Sequence, residues 1–127
     1  TDIITASFIK YSINSFLASK VTFFNELKDL FNSSGATEDW DIFTDILAMD
    51  ERIGNSHMNV PGHDGRLGFG GACFTKDTAA LIKYSQTLEK EFSLLKQVVE
   101  INNNIRSKYD QVDKREKDQN VNYDFDN

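Results

Sequence analysis

The chain has 127 residues, of which 39% are hydrophobic and 27% charged, with a formal charge of −6. That length allows a single domain whose core needs no metal or disulfide, and the acidic balance excludes a broad basic field for nucleic acid. No apolar run nears the ~20 residues of a bilayer span, the start at Thr1 to Ile9 lacks a signal peptide's basic-then-apolar order, and a lone cysteine, Cys73, points to a reducing, cytoplasmic setting without internal disulfides.

The first predicted element runs from Thr5 to Ser33. Ile9, Ile13, Phe16, Leu17, Phe24, Leu27 and Phe31 recur at helical spacing, apart from one longer gap. At ~1.5 Å per residue this helix is roughly 40 Å long. Gly35 is suited to close it, and Thr37 to cap a second helix with Glu38 and Asp39 in its first turn. Trp40, Phe43, Ile46 and Leu47 give that helix an apolar face. From Asp50 to Phe74 the periodicity fails. Six of the seven glycines lie between Gly54 and Gly71, together with the only proline, Pro61. Loops of this length inside a small domain are often functional.

Helical patterning resumes at Thr75 or Lys76. Ala79, Ala80, Ile82 and Leu88 mark one helix, and Phe92, Leu95, Val98, Val99, Ile101 and Ile105 another. Residues 1–110 therefore read as an all-α domain of about five helices, with one very long N-terminal helix and a Gly-rich loop. Residues 111–127 read as a charged tail with too few apolar residues to fold alone. Phe16, Phe23 and Phe31 cannot share one face of the first helix, so some apolar surface should be left for a homodimer contact.

The densest chemical feature is Gly68-Phe69-Gly70-Gly71-Ala72-Cys73-Phe74-Thr75-Lys76-Asp77. Glycines let backbone approach a ligand closely. A thiol follows near a helix start, where backbone N–H groups and the helix dipole favour thiolate. Asp77 lies one helical turn beyond, where a carboxylate can activate water against a cysteine-bound acyl group. On the first helix Lys10 and Asn14 share a face that continues into Leu17, Val21 and Phe24. A cation and an amide at the end of such a stripe can stabilise an oxyanion. Taken alone, Asp77 also fits an ordinary acidic first turn, Lys10 a chain reaching to solvent, and Asn14 an exposed amide. The glycines match neither a dinucleotide fingerprint, since Cys73 occupies the third glycine position with no strand before it, nor a P-loop. His57, His63 and Asp64 lack metal-site spacing, and no metal is expected.

Three ordered blocks resemble the UDP-glucose/GDP-mannose dehydrogenase family. They are Lys10-Tyr11-Ser12-Ile13-Asn14-Ser15-Phe16-Leu17-Ala18-Ser19-Lys20 with Phe24-Asn25-Glu26-Leu27, then Met49-Asp50-Glu51-Arg52-Ile53-Gly54-Asn55, then Gly68 to Thr78 with Ala80-Leu81. The resemblance covers about Ala6 to Arg106. It implies the helical central domain of an NAD-dependent enzyme that oxidises a sugar-nucleotide C6 alcohol to the carboxylate through a cysteine thioester and dimerises through its central helices. By position it implies Cys73 as nucleophile, Asp77 as activator of the hydrolytic water, and Lys10 and Asn14 as oxyanion stabilisers. Arg52 matches an arginine reaching into the partner subunit's sugar-nucleotide site. His57, Met58, Asn59, Val60, Pro61, Gly62 and Gly70 match substrate-binding positions, and Lys76 a cofactor-side lysine.

The sequence departs from the family at Pro61-Gly62-His63-Asp64-Gly65-Arg66, which reads as additional material and leaves the sugar open. UDP-glucose is the first choice, with GDP-mannose or another hexose nucleotide as alternatives. NAD is expected to be held mainly by a Rossmann domain that no segment here supplies, so these residues alone should be inactive. A non-catalytic dimerisation module is the alternative. A small cysteine hydrolase using His57 or His63 as base is a further one.

Overall fold

The structure is a computed structural model that describes residues 2–109, so the expected charged tail at 111–127 lies outside the described residues. It contains α1 (Ile3–Ser33), α2 (Trp40–Ala48), α3 (Ala72–Thr87) and α4 (Ser93–Arg106), and no strand among the described residues. The all-α expectation holds, with four helices among these residues and the first much the longest. None of them is long and apolar enough to cross a membrane.

Asp2 caps α1, its carboxylate accepting from the Thr5 N–H at 2.8 Å. Gly35, at φ +82°, turns the chain out of the helix as expected. Thr37 does not cap α2: Asp39 holds that position and makes no side-chain cap bond. Helix α3 begins earlier than expected, at Ala72, so Cys73 and Phe74 are helical rather than loop. Gly71, at φ +83°, is its N-cap; the glycine pair that reads as more loop is the turn that launches the helix.

The face that α1 buries differs from the one its large apolar residues suggest. Ser15, Ala18, Thr22 and Phe24 are buried, whereas Ile9, Ile13, Phe16 and Phe23 are exposed, Phe16 at 69% and Phe23 at 61%. Small residues at three- and four-residue spacing let the neighbouring helices approach closely, which pushes the large side chains outward. One core cluster joins Ala18, Phe69, Leu81, Leu95 and Val98. A second joins Phe24, Trp40, Met58 and Val60, flanked by Phe31 and Phe43. The second is largely aromatic, with Phe31 and Phe43 stacked at 4.6 Å and Trp40 beside both.

Residues 49–71 cross from α2 to α3 without a sheet partner, so their backbone groups need side-chain partners. From α1, Lys20 donates to the Ile53 carbonyl at 2.7 Å and Lys28 to the Val60 carbonyl at 2.7 Å. Asn25 Oδ1 accepts from the Gly68 N–H at 2.8 Å. From beyond α4, the Tyr109 hydroxyl accepts from the Leu67 N–H at 2.8 Å. The tightest anchor is on α4. Asn102, 1% exposed, accepts from the Phe69 N–H at 2.7 Å and donates to the Phe69 carbonyl at 2.9 Å. One turn on, Arg106 bonds Asp64 at 2.7 Å and the Gly68 carbonyl at 3.2 Å. The buried row of α4 is thus Leu95, Val98, Asn102 and Arg106, apolar first and polar after.

Gly68 has φ +76°, and a Cβ there would lie 2.5 Å from Asn102 Oδ1. Asn102→Ala should therefore cost roughly 2–5 kcal/mol, because it strands both buried backbone groups of Phe69. Gly68→Ala should cost roughly 1–3 kcal/mol on its own and less in the Asn102→Ala background, where its nearest obstacle is gone. Urea unfolding of the two single variants and the double variant reads this non-additivity; strictly additive losses would contradict the clamp.

Candidate active site

The anchored segment and the start of α3 enclose a cleft of about 510 Å³. Cys73, exposed and second in α3, lines it, with Gly68, Gly70 and Gly71 along one wall. The residues before the glycines alternate in direction. Met58 and Val60 are buried in the aromatic core, while His57 and Asn59 line the cleft. His57, at φ +61°, holds its ring 5.7 Å from that of Phe74.

Asp77 sits one turn below Cys73 and is 1% exposed. Burying a carboxylate is costly unless it finds partners. Asn14 of α1 donates to its Oδ2 at 2.6 Å, and Lys10 brings its ammonium to 3.9 Å from Oδ1. Lys10 otherwise lies in solvent, its side chain 63% exposed above the Tyr11 ring. The spacing of Lys10, Asn14, Cys73 and Asp77 thus becomes a contact between two helices: α1 supplies a cation and an amide to the helix that carries the thiol.

The remaining expected site residues divide. His57, Asn59, Gly62 and Gly70 line the cleft. Met58 and Val60 put their side chains into the core, and the Pro61 side chain is exposed and outside the cleft lining. Arg52 lies elsewhere, on the exposed turn after α2, where it forks onto Asp50 at 2.6 and 2.9 Å. That pairing lowers the Asp50 carboxyl and raises the Arg52 guanidinium relative to their ordinary values. Lys76 is exposed on α3, outside the cleft lining.

Sequence reasoning assigned no role here to Phe69 or Arg106, both of which line the cleft, and it considered Asp64 only as a metal ligand and His63 only as a metal ligand or hydrolase base. The signal for Arg106 was present: the row Leu95, Val98, Asn102, Arg106 runs from apolar to polar just as the α1 row does at Lys10 and Asn14. Among the described residues Cys73 makes no hydrogen bond to His57 or His63, and no three His, Cys, Asp or Glu side chains gather as a metal site would require.

Burial, first, then the positive charges of Lys20 and His63 push the His57 imidazole below its ordinary value. Burial likewise lowers Lys20, whose ammonium is held by the Ile53 carbonyl.

UDP-glucose 6-dehydrogenase YwqF of Bacillus subtilis is 39% identical over 104 residues, covering 82% of this chain and 22% of that protein. UDP-glucose 6-dehydrogenase TuaD of the same organism is 35% identical over 102 residues, covering 80% and 21%. A UDP-glucose 6-dehydrogenase of Rhizobium meliloti is 41% identical over 100 residues, covering 79% and 21%. The chain thus spans about a fifth of the length of these relatives. The sequence pattern of one family's central domain matches residues 4–104, a stretch that runs from the first turn of α1 through Asn102 and takes in the whole cleft segment. With most of its length so matched, the chain belongs to the UDP-glucose/GDP-mannose dehydrogenase family, as its central domain.

Proposed function

We propose that this domain carries the thioester half of a nucleotide-sugar dehydrogenase that oxidises the C6 alcohol of UDP-glucose, or a related sugar nucleotide, to the carboxylate. The observation that supports it most is the junction of α1 and α3. There Asn14 and Lys10 meet the buried Asp77 one turn below a thiol that opens into a glycine-walled cleft.

NAD, when bound, would supply the hydride acceptor for the two oxidations at C6. The described residues contain no strand–turn–helix cradle for a dinucleotide, and Lys76 is the one residue assigned to the cofactor side. The rest of the NAD site belongs to another domain of the enzyme. Cys73 Sγ forms a bond to the aldehyde carbon left by the first oxidation. That addition turns an sp² carbon without a transferable hydride equivalent into a thiohemiacetal that has one. Loss of the second hydride leaves a thioester. Asp77 takes a proton from the water that attacks the thioester carbon; the C–S bond then breaks, and the carboxylate and free thiol are released. Lys10 and Asn14 stabilise the negative oxygen of both tetrahedral species. The glycine wall lets the sugar approach the Cys73 backbone without a side chain between them.

Dimerisation through the central helices is the second part of the proposal. Phe16, Phe23 and Leu94, the last 71% exposed, border an apolar groove between α1 and α4. Exposed apolar surface of this kind marks an interface. A second copy would also give Arg52, which lies outside the cleft of its own chain, a site to reach.

The 127-residue chain alone should not oxidise UDP-glucose, and joining it to the nicotinamide-binding domain of a relative should give turnover. In that enzyme, Cys73→Ser should stop the reaction before the second oxidation. Asp77→Asn should accumulate an acyl adduct on Cys73 visible by mass spectrometry. Lys10→Ala should slow turnover by about 10²–10³-fold if it acts as an oxyanion donor. Full activity in Cys73→Ser together with no adduct in Asp77→Asn would refute the assignment. For the assembly, sedimentation equilibrium at micromolar concentration should show a dimer that Phe23→Asp or Leu94→Asp converts to monomer; a monomer before substitution would refute it.

A further inference from the structure

Helix α2 is apolar on two faces. Trp40, Phe43 and Leu47 turn inward, where Trp40 and Phe43 meet Phe24 and Phe31 of α1. Ile42, Ile46 and Met49, at spacings of four and three, turn outward on the opposite side. Ile46 is 56% exposed and Met49 80%. The single apolar face expected from Trp40, Phe43, Ile46 and Leu47 therefore divides, with Ile46 on the outer side. A helix that is apolar all round is normally covered all round, and among the described residues this one is held only from within.

The border of the outer stripe is acidic. Glu38, Asp39, Asp41, Asp45, Asp50 and Glu51 fall between residues 38 and 51, and no lysine or arginine does. These six account for the whole formal charge of −6, since acids and bases balance in the rest of the chain. Arg52 matches Asp50 at 2.6 Å. The other five are exposed and make no ion pair among the described residues. At ~3.6 residues per turn, Asp41 and Asp45 run along one side of the stripe, with Glu38 and Asp39 at its start and Asp50 and Glu51 at its end. Helix stability accounts for only half of them. The helix dipole favours Glu38, Asp39 and Asp41 at the N-terminus but opposes Asp45, Asp50 and Glu51 toward the C-terminus.

We propose that the outer face of α2 is a docking surface for a basic amphipathic helix of a partner protein. The apolar residues of that helix would cover Ile42, Ile46 and Met49, and its lysines or arginines would meet Asp41 and Asp45. Charges bordering an apolar seam select the partner, admitting opposite charge and excluding like charge. A second copy of α2 would set acids against acids, so the charge argues against symmetric pairing here. The surface is also separate from both depressions already described, because no α2 residue lines the Cys73 cleft or the groove between α1 and α4.

The probe is a synthetic amphipathic helical peptide with leucines at three- and four-residue spacing and lysines elsewhere, added to the 127-residue chain. Backbone amide NMR shifts locate its binding and give the affinity. The shifts should centre on Ile42, Asp45, Ile46 and Met49. The Ile46→Ser/Met49→Ser variant should weaken binding roughly tenfold or more. The Asp41→Asn/Asp45→Asn variant should weaken it severalfold at about 0.1 M salt and little at about 1 M, where the Debye length has dropped from ~10 to ~3 Å. All four substitutions are at exposed positions and leave Trp40, Phe43 and Leu47 in place, so circular dichroism should show unchanged helix content. Shifts centred on Phe16, Phe23 and Leu94 instead, equal binding of the same peptide with glutamates for lysines, or full affinity in either variant would each overturn the proposal. Two further outcomes would reassign the face. A dimer that dissociates on Ile46→Ser/Met49→Ser would give it to a second copy. Peptide binding lost when the chain is joined to a nicotinamide-binding domain would give it to that domain. Either would overturn the partner helix.

Discussion

The two hydrogen bonds between the Asn102 amide and the backbone of Phe69 hold the rest of the site in place. A helical domain has no sheet against which to lay an extended segment, so this contact stands in for a strand partner. Once Phe69 is fixed, its ring fills the first core beside Ala18 and Leu95. Gly68 on one side is then pressed against Asn102 so closely that no Cβ fits. On the other side the chain reaches Gly71, reverses and begins α3, which sets where Cys73 emerges. A side-chain amide suits this position because it donates and accepts at once.

The long first helix serves two surfaces. Its small residues, Ser15, Ala18 and Thr22, admit close neighbours, and that closeness brings Asn14 within reach of Asp77. Several of its large residues, among them Ile13, Phe16 and Phe23, are left outside, where only another surface can cover them. The same segment of chain therefore sets the depth at which the carboxylate is buried and the apolar area that remains exposed. The aromatic cluster around Trp40 works at the other end of the connecting segment: by burying Met58 and Val60 it obliges Asn59 between them, and His57 before them, to face the cleft.

The site is uneven in a way that fits a domain working with other surfaces. Cys73, Asp77, Asn14 and Lys10 form a local unit on two helices, while Arg52 and Lys76 point away from it and lie in solvent. Arg52 is organised by its neighbour Asp50 rather than by the cleft, and Lys76 is exposed outside the cleft lining.

The sequence by itself determined the helical class, the long first helix, the glycine-rich interruption and the family, because periodicity and ordered motifs are local or read directly along the chain. The four-residue spacings Lys10–Asn14 and Cys73–Asp77 were legible for the same reason: a helix places such pairs on one face whatever surrounds it. What only the tertiary structure decided is which face each helix turns inward. Hydrophobicity pointed to Ile13 and Phe16 on α1, yet close packing selected Ser15 and Ala18. Patterning likewise gave α4 an apolar face through Ile105, whereas the unmet backbone of the connecting segment drew Asn102 and Arg106 inside. A buried polar residue is stable only if a particular partner arrives from a distant part of the chain. The partner of Asn102 is 33 residues away, and no local pattern encodes that meeting.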